Sequence, residues 1–318
     1  MNNEVKMKKR LYKNLFGIIA IVIVSILSLD LLSLRGYTRE LIAQLTDSDD
    51  YFANNGPDFI NPLIRQAQKD DGTTALILGD SFAYQVFIHL KDYNPEISFL
   101  MSNGAVTMAG QYVIAKEYLD NHPEATDVYL LVLPESIGRT FDTKWGYQYA
   151  VLPFIETHTL ADFNEETVQI MKDTYGELFM NETIATLVDK SGINRKLYLN
   201  YMREKTDGYK LSYYYELSDI YLMKLIDLCN SKNVNLYFYP CPVSEAKRDE
   251  VTTYEASYEE SETYKINPDY FDMIYYYPAE WSEDNTHLEY EYRSPEYVDT
   301  ILMELLKGSP LLEALKFG

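Results

Sequence analysis

The sequence predicts an α/β fold, three layers deep, with a central and mostly parallel sheet between two layers of helix. Three observations lead there. Four short apolar runs, Thr74–Leu78, Ile97–Ser102, Val128–Leu133 and Val234–Tyr239, are each closed by a turn residue, at Gly79, Asn103-Gly104, Pro134 and Pro240. Segments with helical periodicity alternate with them, and that alternation indicates βαβ units. The runs are apolar on successive residues, as strands covered on both faces are.

Taken in order, residues 1–35 stand apart from this pattern. Lys6, Lys8, Lys9, Arg10 and Lys13 precede an apolar stretch from Leu15 to Leu29 that continues past Asp30 to Leu34. About 20 such residues suffice for one bilayer crossing. The stretch is long for a cleaved signal peptide and no small-x-small site follows it. The expectation is an uncleaved transmembrane helix with a cytoplasmic basic flank, which leaves the main domain extracytoplasmic at the cell membrane. Residues 36–73 read as a membrane-proximal helix and linker, and residues 74–318 as the main domain.

Within that domain, helices are expected over Phe82–Lys91 and Gly110–Asn121, then over Leu217–Asn230 and Pro295–Lys307. Two insertions interrupt the strand–helix alternation. The first, about residues 140–212, is helical in pattern over Glu165–Phe179 and again near Ile184–Lys190. It suits a lid or platform over the sheet edge. The second, about residues 244–281, is acidic and rich in tyrosine. Tyrosine suits stacking on sugar rings, and it equally suits ordinary half-buried packing.

Composition narrows the function. The formal net charge is -21, and residues 1–35 hold six basic and two acidic side chains, so the remainder carries about -25. A domain this acidic is repelled by polyanions, which argues against nucleic acid as a partner. Cys229 and Cys241, the only cysteines, permit one disulfide without requiring it. With no histidine nearby they make a poor zinc site. No metal and no organic cofactor is implied.

The chemistry concentrates at Gly79-Asp80-Ser81. A turn there would lift Ser81 to the carboxyl edge of the sheet, where open α/β folds keep their ligands. The same tripeptide fits a plain strand-to-helix turn, because Asp80 and Ser81 are both good N-cap residues. A nucleophilic serine needs a neutral imidazole and a carboxylate to orient it. Of the four histidines, His287 has the best setting, in Asp284-Asn285-Thr286-His287 just before the last helix. Three positions apart in a tight loop, the Asp284 carboxylate can reach the Nδ1 of its own histidine. His89 reads as a packing or surface residue, His122 as a helix-end residue and His158 as a solvated loop residue.

Together, Gly-Asp-Ser after a buried strand, a glycine after the second strand and Asp-x-x-His before the C-terminal helix resemble the SGNH/GDSL hydrolase superfamily. The resemblance covers roughly residues 74–134 and 234–307. It implies Ser81 as nucleophile, His287 as base and Asp284 as its orienting partner. It also implies an oxyanion hole from the backbone N–H groups of Ser81 and Gly104, with Gly110 as a substitute for Gly104. One block departs from the family. Where a Gly-x-Asn-Asp block is usual after the third strand, this chain has Pro134-Glu135-Ser136-Ile137-Gly138-Arg139. Either Ser136 or Arg139 is then the candidate stand-in for the missing Asn donor, or the third donor is absent.

With a single anchor and an outside-facing domain, the chain is similar to the membrane-anchored branch that includes the alginate-acetylation and teichoic-acid D-alanylation proteins. That likeness implies an O-acyltransferase or esterase acting on a cell-envelope glycan or polymer. It also implies a multipass membrane O-acyltransferase as partner. A carbohydrate deacetylase with the same triad is one alternative, and a non-catalytic glycan-binding or scaffold subunit is another.

Overall fold

In a computed structural model of the chain, the four apolar runs form four parallel strands: β1 (Ala75–Gly79), β2 (Ile97–Met101), β3 (Asp127–Val132) and β4 (Asn235–Pro240). The structure describes Tyr12 and residues 14–25, 60–102, 106–139, 141, 151–181, 215–282 and 284–317. It divides into two units, one of residues 1–52 with 186–198, the other of residues 53–185 with 199–318.

In the first unit, residues 14–25 are helical, and Phe16, Ile18 and Ile21 among them are exposed. No helix among the described residues is long and apolar enough to cross a membrane. The rest of the expected span, from residue 26 to 34, lies outside the described residues.

The second unit holds the sheet, in the order β2-β1-β3-β4. Gly79 is in register with Met101 on one side and Leu131 on the other, so β1 and β2 end at the same level and β3 one residue beyond it. The chain leaves β1 in one direction and β3 in the other, which makes the β1–β3 edge the crevice where such sheets bind ligands. Burial drives the assembly. Leu76, Ile77 and Leu78 have no solvent exposure, and sequestering each contributes about 1.5–3 kcal/mol.

Helices connect the parallel strands and pack around the sheet. Helix α1 (Asn61–Ala67), in the stretch read as linker, buries Ile64 and Ala67. It packs against α3 (Met108–Asn121). Helix α2 (Ser81–Phe87) follows β1 directly and tightens into a 3-10 turn over Ile88–Tyr93, where one continuous helix is expected. Helix α3 begins two residues before its expected start, because Thr107 caps it by accepting from the Gly110 N–H at 3.1 Å.

After β3, Pro134 opens a short turn of helix, α4 (Pro134–Ile137), rather than only closing the strand. The first insertion contributes α5 (Leu152–Glu156) and α6 (Glu165–Tyr175). Asn164 caps α6, and Gly176 ends it at a φ of 91° that glycine adopts freely. The helix expected near Ile184–Lys190 lies outside the described residues. Helix α7 (Tyr215–Lys232) then packs along α3 and leads into β4.

A two-residue parallel pair, β5 (Val243–Ser244) with β6 (Tyr276–Tyr277), brackets the second insertion. Strands that short carry no alternation for a sequence pattern to reveal. Between them lie α8 (Arg248–Tyr258) and α9 (Glu262–Ile266). Tyr254, Tyr258, Tyr270 and Tyr277 are buried here, so packing accounts for these four. Last come α10 (Pro295–Leu305), which packs against α2, and the short α11 (Pro310–Ala314). Buried Asn94 bonds both the N–H and the C=O of Lys316, at 2.7 and 2.9 Å, and so ties the C-terminus to the approach to β2.

Candidate active site

The site begins with a close approach of backbones. A Cβ on Gly79 would lie 2.3 Å from the Ala83 Cβ and 2.7 Å from the Leu131 carbonyl oxygen. Only glycine lets β1 turn into α2 while hugging β3. Asp80 follows, 3% exposed, and its carboxylate joins three elements. Oδ1 accepts from the N–H groups of Phe82 and Ala83 at 3.1 and 3.5 Å, which caps α2. Oδ2 accepts from the Leu133 N–H and the Ser136 hydroxyl, both at 2.7 Å. The Cys241 thiol lies 3.8 Å from Oδ1, at the end of β4. The N-cap reading of Asp80 therefore holds, and the residue also clamps the ends of β1 and β3 together.

This geometry places Ser81 at the carboxyl edge of β1. Its hydroxyl lies 2.8 Å from Nε2 of His287, across 206 residues of sequence. On the other side of the ring, Nδ1 lies 2.8 Å from Oδ2 of Asp284. A carboxylate can only accept, so Nδ1 carries the proton and Nε2 presents its lone pair to Ser81. Ser81, His287 and Asp284 thus form one continuous hydrogen-bonded line.

The loop makes this possible through its backbone. Asn285 sits at a φ of 64°, a left-handed conformation that asparagine tolerates better than most residues. The chain then folds back, and Asp284 Oδ1 accepts from the backbone N–H groups of Thr286 and His287 at 2.9 and 2.7 Å. Burial opposes ionisation of Asp284. The hydrogen bonds from the His287 ring and from these two amides outweigh it and hold the carboxyl below its ordinary value.

Three further residues hold the loop over the serine. Gln85, one turn beyond Ser81 on the same face of α2, accepts from the Leu288 N–H at 3.0 Å. Tyr277 donates to the Thr286 carbonyl at 3.0 Å, and its ring stacks on Phe82 with centroids 5.4 Å apart. At the base, Ser282 and Leu288 form an isolated antiparallel bridge. Sequence reasoning did not single out Gln85, yet a signal existed: it is a polar residue in the otherwise apolar second half of α2. Tyr277 carried no such signal among so many tyrosines.

The proposed oxyanion donors divide. The Ser81 N–H has no acceptor among the described residues, because Asp80 engages only the amides after it. Gly104 lies outside the described residues. Gly110 does not fit the substitute role: its N–H is taken by Thr107 in the cap of α3, and it is buried against Val106 and Phe154. Ser136 does not fit as stand-in for the missing Asn either, since its hydroxyl is buried and donates to Asp80. Buried Gln111, which donates to the Gly79 carbonyl at 3.0 Å, supports the turn from below.

The remaining histidines stay out of the line. His89 pairs with Asp299 at 2.7 Å and ties the end of α2 to α10. His122 stacks on Tyr118 and lies 3.0 Å from Asp71 at the end of α3. His158 adopts a φ of 60° in the turn after α5. Both cysteines are free and buried. Among the described residues no cluster of His, Cys, Asp or Glu could hold a metal ion. No protein-family model matches the chain, and no curated protein or solved structure does so either.

Proposed function

We propose that the chain is a serine acyl-transfer enzyme of the SGNH/GDSL type that handles O-acyl groups on a cell-envelope glycan. The observation that carries this reading is the Ser81–His287–Asp284 line, with both links at 2.8 Å. In the reaction, the Ser81 oxygen attacks an acyl carbonyl carbon while its proton passes to Nε2 of His287. The C=O pair moves onto oxygen, and the resulting oxyanion is met by the free N–H of Ser81. Asp284 stabilises the imidazolium that forms. Collapse expels the leaving alcohol or thiol, which takes the proton back from His287, and an acyl-serine remains. His287 then deprotonates an incoming hydroxyl, which attacks the acyl-serine and releases Ser81. A sugar hydroxyl completes transfer and water completes hydrolysis.

The apolar, basic-flanked stretch at residues 15–34 supports a membrane-anchored, extracytoplasmic setting. In that setting a multipass membrane O-acyltransferase is the partner that would supply the acyl group. The test is labelling with a fluorophosphonate probe. Wild type should label, while Ser81→Ala and His287→Ala should not. Full complementation of a deletion strain by both variants would sink the enzymatic reading. Mass spectrometry of the envelope glycan from that strain separates transfer from hydrolysis: lost O-acyl groups mean transferase, and accumulated ones mean esterase.

A further inference from the structure

An aromatic cluster sits at the base of the loop that carries His287. Trp281 stacks on Tyr292 with centroids 5.4 Å apart and a 14° interplanar angle. Tyr297 meets both rings edge-on, at 5.2 and 5.0 Å. All three are only partly buried. In the same turn as Tyr292, two residues before it, Tyr290 is 88% exposed, more than any other large hydrophobic side chain among the described residues. The cluster is continuous with the site: the Glu289 N–H donates to the Trp281 carbonyl at 2.9 Å, which closes the loop two residues after His287.

Partly exposed aromatic rings beside a catalytic loop mark a surface made for a ligand with an apolar face. The charge around them is one-sided. Glu280, Asp284, Glu289, Glu291 and Glu296 are exposed in this stretch, and Arg293 is the single Lys or Arg between Ala279 and Glu296. Arg293 is half-buried, and its Nε–H donates to the Leu288 carbonyl at 2.7 Å. A polyanionic ligand would be repelled here. A sugar hydroxyl, in contrast, can donate to these carboxylates in charge-assisted hydrogen bonds.

We propose that Trp281, Tyr290 and Tyr292 form the acceptor subsite, and that it takes a pyranose chain bearing no anionic group. The C–H face of a sugar ring stacks on the aromatic rings, and its hydroxyl rim reaches Glu289 and Glu291. This assignment rests on the acyl-transfer reading, and it narrows that reading to uncharged or amino-bearing glycans, away from polyuronates and polyphosphates.

The test is binding by the full chain, measured by calorimetry with three hexasaccharides: a neutral glucan, an amino-glucan and a polyuronate. The neutral glucan should bind, the amino-glucan at least as well, and the polyuronate much more weakly. Tyr290→Ala and Tyr292→Ala should each weaken neutral-glucan binding by roughly three- to tenfold. Tyr290 is almost fully exposed, so its loss should leave the thermal midpoint unchanged, and any lost affinity then reports on binding. Equal or tighter polyuronate binding, no binding of any of the three, or unchanged affinity in Tyr290→Ala each overturns the assignment. Fluorophosphonate labelling of the same preparation keeps the two readings apart. Labelled Ser81 without glucan binding removes only the subsite, while glucan binding lost on substitution in an unlabelled protein removes only the chemistry.

Discussion

Exchange of Asp80 for Asn keeps the shape of the side chain and removes one acceptor oxygen. In the native site both carboxylate oxygens receive backbone N–H groups, from Phe82 and Ala83 on one side and from Leu133 on the other. An amide must therefore turn its NH₂ against a donor whichever way it is oriented. The lesser conflict keeps the oxygen on the helix and aims the NH₂ at β3. Ser136 can then rotate its hydroxyl to accept, but the Leu133 N–H cannot. Leaving that buried N–H without an acceptor costs about 1–3 kcal/mol. The bond to Ser136 also falls from charge-assisted to neutral, which costs about another 1 kcal/mol.

The expected loss for Asp80→Asn is therefore about 2–4 kcal/mol of unfolding free energy, read by urea denaturation at neutral pH. Because the same bonds hold β3 against the serine turn, labelling of Ser81 should slow as well. Ser136→Ala should be costly in the wild-type background and much less so in Asp80→Asn, with about 1 kcal/mol of coupling between the two. If Asp80→Asn stays within about 0.5 kcal/mol of wild type and shows no coupling to Ser136, the clamp is not what joins these strands.

Gln85→Leu should strand the buried Leu288 N–H at a cost of about 1–3 kcal/mol, and it should slow Ser81 labelling about tenfold by freeing the His287 loop; an unchanged labelling rate would detach Gln85 from the histidine. Asp284 is held below its ordinary value of 3.8 in the folded chain, so the stability it adds is fully present above that value and is lost as pH falls through the lower folded one. The stability gap between wild type and Asp284→Asn should accordingly narrow as pH falls through that acid range, as urea titrations at stepped pH would read. Burial pushes the Cys229 thiol up to about 12, and burial together with nearby Asp80 raises that of Cys241. Both should resist iodoacetamide in the native chain and react once it is unfolded, and reductant should leave the unfolding midpoint unmoved because neither is bridged.

Much of the sheet was legible because its strands are covered on both faces. Such strands must be apolar at every position, and the runs at β1, β2 and β3 stand out for that reason. The Asp284–His287 pairing was legible too, since three residues of a tight loop leave few other places for the carboxylate. The 3-10 ending of α2 and the β5–β6 pair were not, being too short to show a period. The stand-ins Gly110 and Ser136 failed for a related reason: spacing reveals which polar groups are near, never which are already engaged.

By itself, then, the order of residues determined that four strands form and that a serine, a histidine and an aspartate lie at turns able to host chemistry. Only the folded chain decided that β1 lies between β2 and β3, because strand order depends on which helices cover which face. It also decided that Gln85 and Tyr277 pull a loop from the far end of the chain onto Ser81. Contacts across 206 positions leave no periodic trace, since each end satisfies its own local pattern whether or not the other is there.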